Sequence, residues 1–166
     1  AITAAMKYGT GLQFFYREHK QRFFDVGMAE EHAVTFAAAL AKSDLQPVVC
    51  LYSTFMQRAM DQYIHDVMLL KLNVMFGIDR AGLVPGDGET HQGIHDIGIF
   101  ANYTDTPVVC PSNYNELVWW QNYLIDNDIA KIIEEYFSTI MEREKERQAL
   151  SLTVNEQACI LRKLAC

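Results

Sequence analysis

Acids, arginines and histidines gather in four short stretches of the chain, and each gathering allows a different chemistry. In Ala29-Glu30-Glu31-His32 two carboxylates open what reads as a helix. Acids in a first turn ordinarily answer the helix dipole. Held at a sheet edge, one of them could instead exchange a proton with a ligand nitrogen. The stretch Tyr52-Ser53-Thr54-Phe55-Met56-Gln57-Arg58 sets two aromatic rings and a guanidinium around a helix start. Phe55 is there either as core or as a flat platform for a ring, and Arg58 either as a solvated charge or as an anion ligand. From Asp79-Arg80-Ala81-Gly82 to Asp87-Gly88-Glu89-Thr90-His91-Gln92-Gly93 runs a long polar loop that no core requirement explains. Long ordered loops of this kind are commonly functional. Its spacing matches neither a zinc site nor a P-loop. His91 and His95 stand one helical turn apart without an HExxH pattern, so no metal is expected. His65-Asp66, inside a helix, reads as structural.

Composition bounds what these stretches can serve. Half of the 166 residues are hydrophobic and 21% are charged, enough to bury a core and too little for disorder. A formal charge of -7 has the wrong sign for a nucleic-acid partner. No apolar run approaches the ~18–20 residues of a spanning helix, and no basic-then-apolar leader opens the sequence, so neither membrane insertion nor secretion is expected. Cys50, Cys110, Cys159 and Cys166 form no CxxC or other metal spacing. Reduced thiols in a cytoplasmic protein are the simplest account.

The elements that must position the four stretches alternate between strand and helix. Residues 23–27 (FFDVG) form a short apolar run ending in glycine, followed by an Ala-rich helix over 30–42. Residues 47–53 (PVVCLYS) and 73–79 (NVMFGID) are nearly all apolar, as strands covered on both faces would be. Between them Thr54 to Gln57 has capping-box spacing and opens a helix to about residue 71, with Met56, Ala59, Met60, Tyr63, Ile64, Val67 and Met68 on one face. A shorter strand follows over 106–110, and Ser112 can cap a helix through Trp119 and Leu124. The expected fold is α/β: a mostly parallel sheet with helices on both faces. Sites in such sheets lie at the carboxyl ends of strands, which is where residues 25–30, 52–58, 79–95 and 111–115 fall.

A change of character is expected near residue 128. Residues 1–130 hold eight basic and fifteen acidic residues, whereas 131–166 hold six of each and no Gly, Pro or Asp. Residues 130–148 read as a charged amphipathic helix with Ile133, Phe137, Ile140 and Met141 on one side. A second helix over 152–164 is introduced by a second capping box at Thr153 to Glu156. The expected division is thus a domain over 1–128 and a C-terminal helical tail over 129–166.

The strings FFDVGMAEEHAVTFAAALA, PVVCLYSTFMQRAMDQYIHDV and FGIDRAGLVPGDGETHQGIHDI together resemble the pyrimidine-binding, transketolase-like domain of the 1-deoxy-D-xylulose-5-phosphate synthase family, over about residues 2–125. The resemblance implies a thiamine-diphosphate enzyme that joins pyruvate, with loss of CO2, to glyceraldehyde 3-phosphate, for isoprenoid and thiamine biosynthesis. It places Glu30 at the N1′ nitrogen of the aminopyrimidine, where a shared proton lets the cofactor generate its own base. Phe55 would pack on the pyrimidine ring, with Tyr52 beside it in the cofactor pocket. Arg58, Arg80, Asp87 and His91 match substrate-pocket positions, with Arg80 facing the aldehyde's phosphate and His91 counted with Glu30 as catalytic.

Departures from the family pattern set the remaining expectations. The family holds the diphosphate and Mg2+ through a GDG…N motif in a preceding domain. Here the one GDG, Gly86-Asp87-Gly88, belongs to the polar loop. Only the aminopyrimidine half of the cofactor site is therefore expected, with no metal ligand in this chain. The family's next strand, with its RYPRG-like turn, is expected to be missing after Asp128. Two readings remain open: the pyrimidine half of a synthase, inactive alone and acting as a homodimer or with a separate diphosphate-binding domain or subunit, or a truncated non-catalytic binding or structural module that keeps the fold. Neither involves nucleic acid or a membrane.

Overall fold

Runs of apolar and β-branched residues become strands that pair side by side. The computed structural model describes residues 1–103, 106–127 and, for 131–135, the backbone. Within these, β1 (Ile2–Thr3), β2 (Phe24–Asp25), β3 (Val48–Tyr52), β4 (Met75–Asp79), β5 (Val108–Val109) and β6 (Lys131–Glu135) form one sheet in the order β2-β1-β3-β4-β6-β5. Every pairing is parallel. The helices are α1 (Gln13–Glu18), α2 (Glu30–Lys42), α3 (Ser53–Met56), α4 (Met60–Gln62), α5 (Asp96–Phe100) and α6 (Tyr114–Asp126). A 3-10 turn (Gln57–Ala59) joins α3 to α4, and a π-helical segment (Tyr63–Met68) continues α4, so residues 53–68 run as one helical stretch.

The period of two along β3 and β4 divides the core into two layers. Val49, Leu51, Phe76 and Ile78 face one side and pack with α2 and the 53–68 stretch through Ala33, Val34, Ala37, Met56, Ala59, Tyr63 and Val67. Val48 and Met75 face the other side and pack with Val109, Leu117 and Leu124 under α6. Both faces are covered, as a parallel sheet requires. Tyr63, only 1% exposed, is the hub of the first layer. Its ring meets Phe76 and Phe100 edge-on at 5.5 Å each and Tyr103 at 6.0 Å. Its hydroxyl donates to Thr106 Oγ1 at 2.8 Å.

The fold class is the expected one, and the apolar face of the 53–68 stretch lies inward as its spacing requires. Two local expectations change. The helix after β3 starts at Ser53 with Tyr52 as N-cap and no side-chain cap, so the Thr54–Gln57 capping box does not form. Asn113, not Ser112, caps α6, its side chain accepting from Glu116 N at 3.0 Å; Ser112 instead bonds the Glu116 carboxylate. The two-residue β1 and the short α1 and α5 carry too little pattern to be read in advance.

The largest correction concerns residues 131–135, expected as helix. They form β6, inserted between β4 and β5, and pair with all five residues of β4 from Met75↔Lys131 to Asp79↔Glu135. Without β6, β4 would leave a row of backbone donors and acceptors unpaired. The adjacent β-branched Ile132 and Ile133 suit a strand, and over so short a run apolar spacing does not separate strand from helix. The strand expected to be missing after Asp128 thus has a counterpart, past the anticipated boundary. The rest of the proposed helical tail, residues 129–130 and 136–166, lies outside the described residues.

Tyr63 gives the fold its test. Tyr63→Ala should destabilise the chain by about 3–5 kcal/mol, whereas Tyr63→Phe, which loses only the bond to Thr106, should cost about 1 kcal/mol. Urea denaturation of the three proteins measures both; equal costs would contradict the hub.

Candidate functional site

Parallel pairing delivers the carboxyl ends of β3 and β4 to the same edge, with Tyr52 opposite Asp79. The helical stretch over 53–68 leaves from the first and the polar loop over 80–93 from the second. On the other side of β1, Asp25 at the end of β2 shapes the approach to α2: its Oδ1 accepts from Ala5 N at 2.8 Å and Gly27 N at 3.1 Å. Two residues beyond that turn, α2 begins at Glu30.

All seven residues singled out from the sequence meet there in one chain of contacts. Glu30 is 3% exposed, and its Oε2 stands 3.7 Å from the Arg58 guanidinium. Among the described residues that oxygen has no hydrogen-bond donor. Arg58 lies over the Phe55 ring at 5.9 Å. Phe55 stacks on Tyr52 at 6.0 Å with 18° between the planes, and meets the edge of His91 at 5.4 Å. Arg80 lies over the other neighbour, the Tyr52 ring, at 4.2 Å, and pairs with Asp87. The His91 Nδ1 is in contact with Thr90 Oγ1 at 2.7 Å.

Residues without an assigned role hold this arrangement in place. Gln92 staples the loop: its Oε1 accepts from Val84 N at 2.7 Å, and its Nε2 donates to Gly88 O at 2.7 Å and Val84 O at 3.1 Å. Gly93 lets the loop return over the end of β4, since a Cβ there would lie 2.4 Å from Ser53 Oγ and 2.6 Å from Arg80 O. Gly9 passes the Tyr52 hydroxyl so closely that a Cβ would sit 1.5 Å from its oxygen. Asp96 is buried beside Ser53, and burial pushes its carboxyl pKa up. Nothing in the residue types marked Gly9 or Asp96. Gln92 and Asp79 stood inside the loop string, without a signal for what they do.

Electrostatically the site is a buried acid and two arginines edged by further carboxylates. Burial raises the Tyr52 phenol, with the Arg80 charge opposing it. Burial also pushes the Asp79 carboxyl up to about 6, against the hydrogen bond from the Arg80 backbone and the Arg80 charge. The fourth gathering, His65-Asp66, and the last of the strand ends do not join in. His65 is exposed and bonds Asp66 at 2.8 Å, while Asp66 accepts from Thr35 at 2.6 Å, tying the π-helical segment to α2. The fourth strand end, around 112–116, is taken up by the cap of α6.

The raised Asp79 pKa fixes the sign of a pH effect. Between the unfolded value of 3.8 and about 6 the folded chain keeps a proton that the unfolded chain has released. This group's contribution to stability therefore falls as pH rises through that window. Asp79→Asn cannot titrate, so its stability relative to the parent should improve from about pH 4 to about pH 6.5. Denaturation at both pH values checks this, and a gap that does not move would show an ordinary carboxylate.

Comparison with known proteins gives the family. The family model described as transketolase, pyrimidine binding domain, matches residues 1–146. The 1-deoxy-D-xylulose-5-phosphate synthase of Treponema pallidum is 56% identical over 117 residues, covering 70% of this chain and 19% of that protein. The synthase of Natranaerobius thermophilus is 57% identical over 117 residues, covering 70% and 18%. That of Lachnoclostridium phytofermentans is 54% identical over 128 residues, covering 77% and 20%. The chain thus spans about a fifth of the length of these curated relatives. Among solved structures, one described as a split gene transketolase, inactive beta4 tetramer, superposes with a TM-score of 0.64 at 21% identity, over 81% of this chain and 44% of that one. With its parallel sheet and its long shared strings, the chain belongs to the family of transketolase pyrimidine-binding domains, in the form found in 1-deoxy-D-xylulose-5-phosphate synthases.

Proposed function

We propose that this chain is the pyrimidine-binding half of a thiamine-diphosphate-dependent synthase that condenses pyruvate with glyceraldehyde 3-phosphate. The observation that carries the reading is Glu30. A carboxyl group 3% exposed, with an oxygen that faces Arg58 at 3.7 Å but accepts no hydrogen bond among the described residues, is costly to bury unless a ligand completes its hydrogen bonds. A protonated ring nitrogen of an aminopyrimidine supplies such a donor.

The residues present fit that group. Phe55 offers a half-buried flat face, supported from behind by Tyr52, the contact an aromatic ring prefers. Bound thiamine diphosphate supplies the carbanion chemistry that protein side chains lack. The work of this chain is then to hold and move protons and to orient substrate. Glu30 shares a proton with the pyrimidine nitrogen. Arg58 and Arg80 present guanidinium forks to the carboxylate and phosphate of the substrates. Asp87 aims Arg80 through their ion pair. His91, edge-on to Phe55, presents its imidazole to hydroxyl or carboxylate oxygens near the reacting carbon. Glu30 and His91 are the catalytic pair in this reading.

The diphosphate and Mg2+ belong to another domain or subunit, and a homodimer is the expected assembly in the cytoplasm. No helix among the described residues is long and apolar enough to cross a membrane. The rival reading, a non-catalytic module, rests on the expected foreign tail after Asp128 and on the lack of the GDG…N motif for the diphosphate. The first of these supports weakens because residues 131–135 are a strand of the sheet.

The purified chain alone should form no deoxyxylulose phosphate from pyruvate and glyceraldehyde 3-phosphate with thiamine diphosphate and Mg2+ present. A coupled assay with authentic turnover by the single chain would contradict the division of labour. Combined with a diphosphate-binding partner, Glu30→Gln should lower turnover by about 10²–10⁴ while melting like the parent. Near-normal activity of that variant would remove Glu30 from the chemistry.

A further inference from the structure

Arg80 is the one site residue held in a left-handed backbone conformation, at φ +59°. Side chains with a Cβ rarely adopt it without support, because Cβ crowds the following carbonyl. The support comes from the preceding residue. Asp79, the last residue of β4 and 9% exposed, accepts a hydrogen bond from Arg80 N at 2.7 Å through Oδ1. On the far side, Gly82 and Gly93 exchange backbone bonds of 2.7 and 2.8 Å, closing the loop over the Arg80 carbonyl. Had the strand run on, the next side chain would have followed the alternation of the pleat. The turn instead lays the guanidinium across Tyr52 on the neighbouring strand and against Asp87.

We propose that Asp79 is a positioning residue: by accepting the Arg80 amide it fixes the left-handed turn that carries the guanidinium onto Tyr52, and so sets where an anionic substrate group is met. This deepens the proposed function and rests on its reading of Arg80. The Asp79 carboxyl touches no reacting atom in this role. Its oxygen can accept the bond in either protonation state, so an amide should replace it and a methyl should not.

Nuclear magnetic resonance on the full chain tests this without turnover. In the parent, the Arg80 side chain should show contacts to the Tyr52 ring. Asp79→Asn should keep them, and Asp79→Ala should lose them, with exchange of the Arg80 amide faster by about tenfold, the equivalent of one hydrogen bond. Contacts that persist unchanged in Asp79→Ala would overturn the proposal, as would their loss in Asp79→Asn. Should Asp79→Ala fail to fold, the same change is made with Arg80→Gly, since glycine takes a positive φ unaided. Recovery of the fold supports the proposal, and failure in both backgrounds overturns it. Titrating inorganic phosphate into the parent separates the two readings. No shift at the Arg80 guanidinium counts against its substrate role, while the ring contacts alone decide Asp79.

Discussion

Tyr52 stands opposite Asp79 because β3 and β4 pair in parallel over five residues, and the site depends on that register. A slip by one position would send every side chain to the other face. It is held by Val49 and Leu51 against Phe76 and Ile78 on one side, and by Val48 against Met75 on the other. The strand ends therefore emerge together, and the two segments that leave them are brought within reach of each other, the first also giving Met56, Ala59, Tyr63 and Val67 to the core. Core packing and site geometry are two consequences of one pairing.

From that edge the arrangement is carried by rings and charges in turn. Arg80 and Arg58 cap the stacked rings of Tyr52 and Phe55 on either side, and Arg58 leads to the buried Glu30. Contacts of this kind are worth roughly 0.5–1 kcal/mol each where solvent reaches them. Such small terms cannot hold a loop of this length alone. Its geometry is set instead by the backbone devices around it, the Gln92 staple and the close return at Gly93. The rings and charges then keep little freedom, which on the proposed reading would lower the cost of ordering them around a ligand.

Much of this was legible in the sequence because buried parallel strands announce themselves as continuous apolar runs. β3 and β4 fall inside the expected stretches, and the inward face of the 53–68 helix follows from helical spacing. The residues proposed for the site come from long strings such as YSTFMQRA and DRAGLV, which carry type and order together. What the strings do not carry is who touches whom. That Arg80 lies on Tyr52, or that Gly9 must let the Tyr52 hydroxyl pass, depends on a register set by residues far away in the chain. β6 was misread for a different reason. Ile132 and Ile133 are followed by two glutamates and by further apolar residues at helical spacing, so the local pattern allowed a helix where the unpaired edge of β4 demanded a strand. The two-residue β1 gives no pattern at all, and its place is decided by its neighbours.

The central claim is that Glu30 and Phe55 form the aminopyrimidine half of a divided cofactor site. Isothermal titration calorimetry of thiamine diphosphate with Mg2+ tests it most directly, run on the chain together with a diphosphate-binding partner domain, and repeated with Glu30→Ala. The account predicts saturable binding to the parent pair and a clear loss of affinity in the variant pair. Binding of equal strength to both, or none to the parent pair, would contradict it.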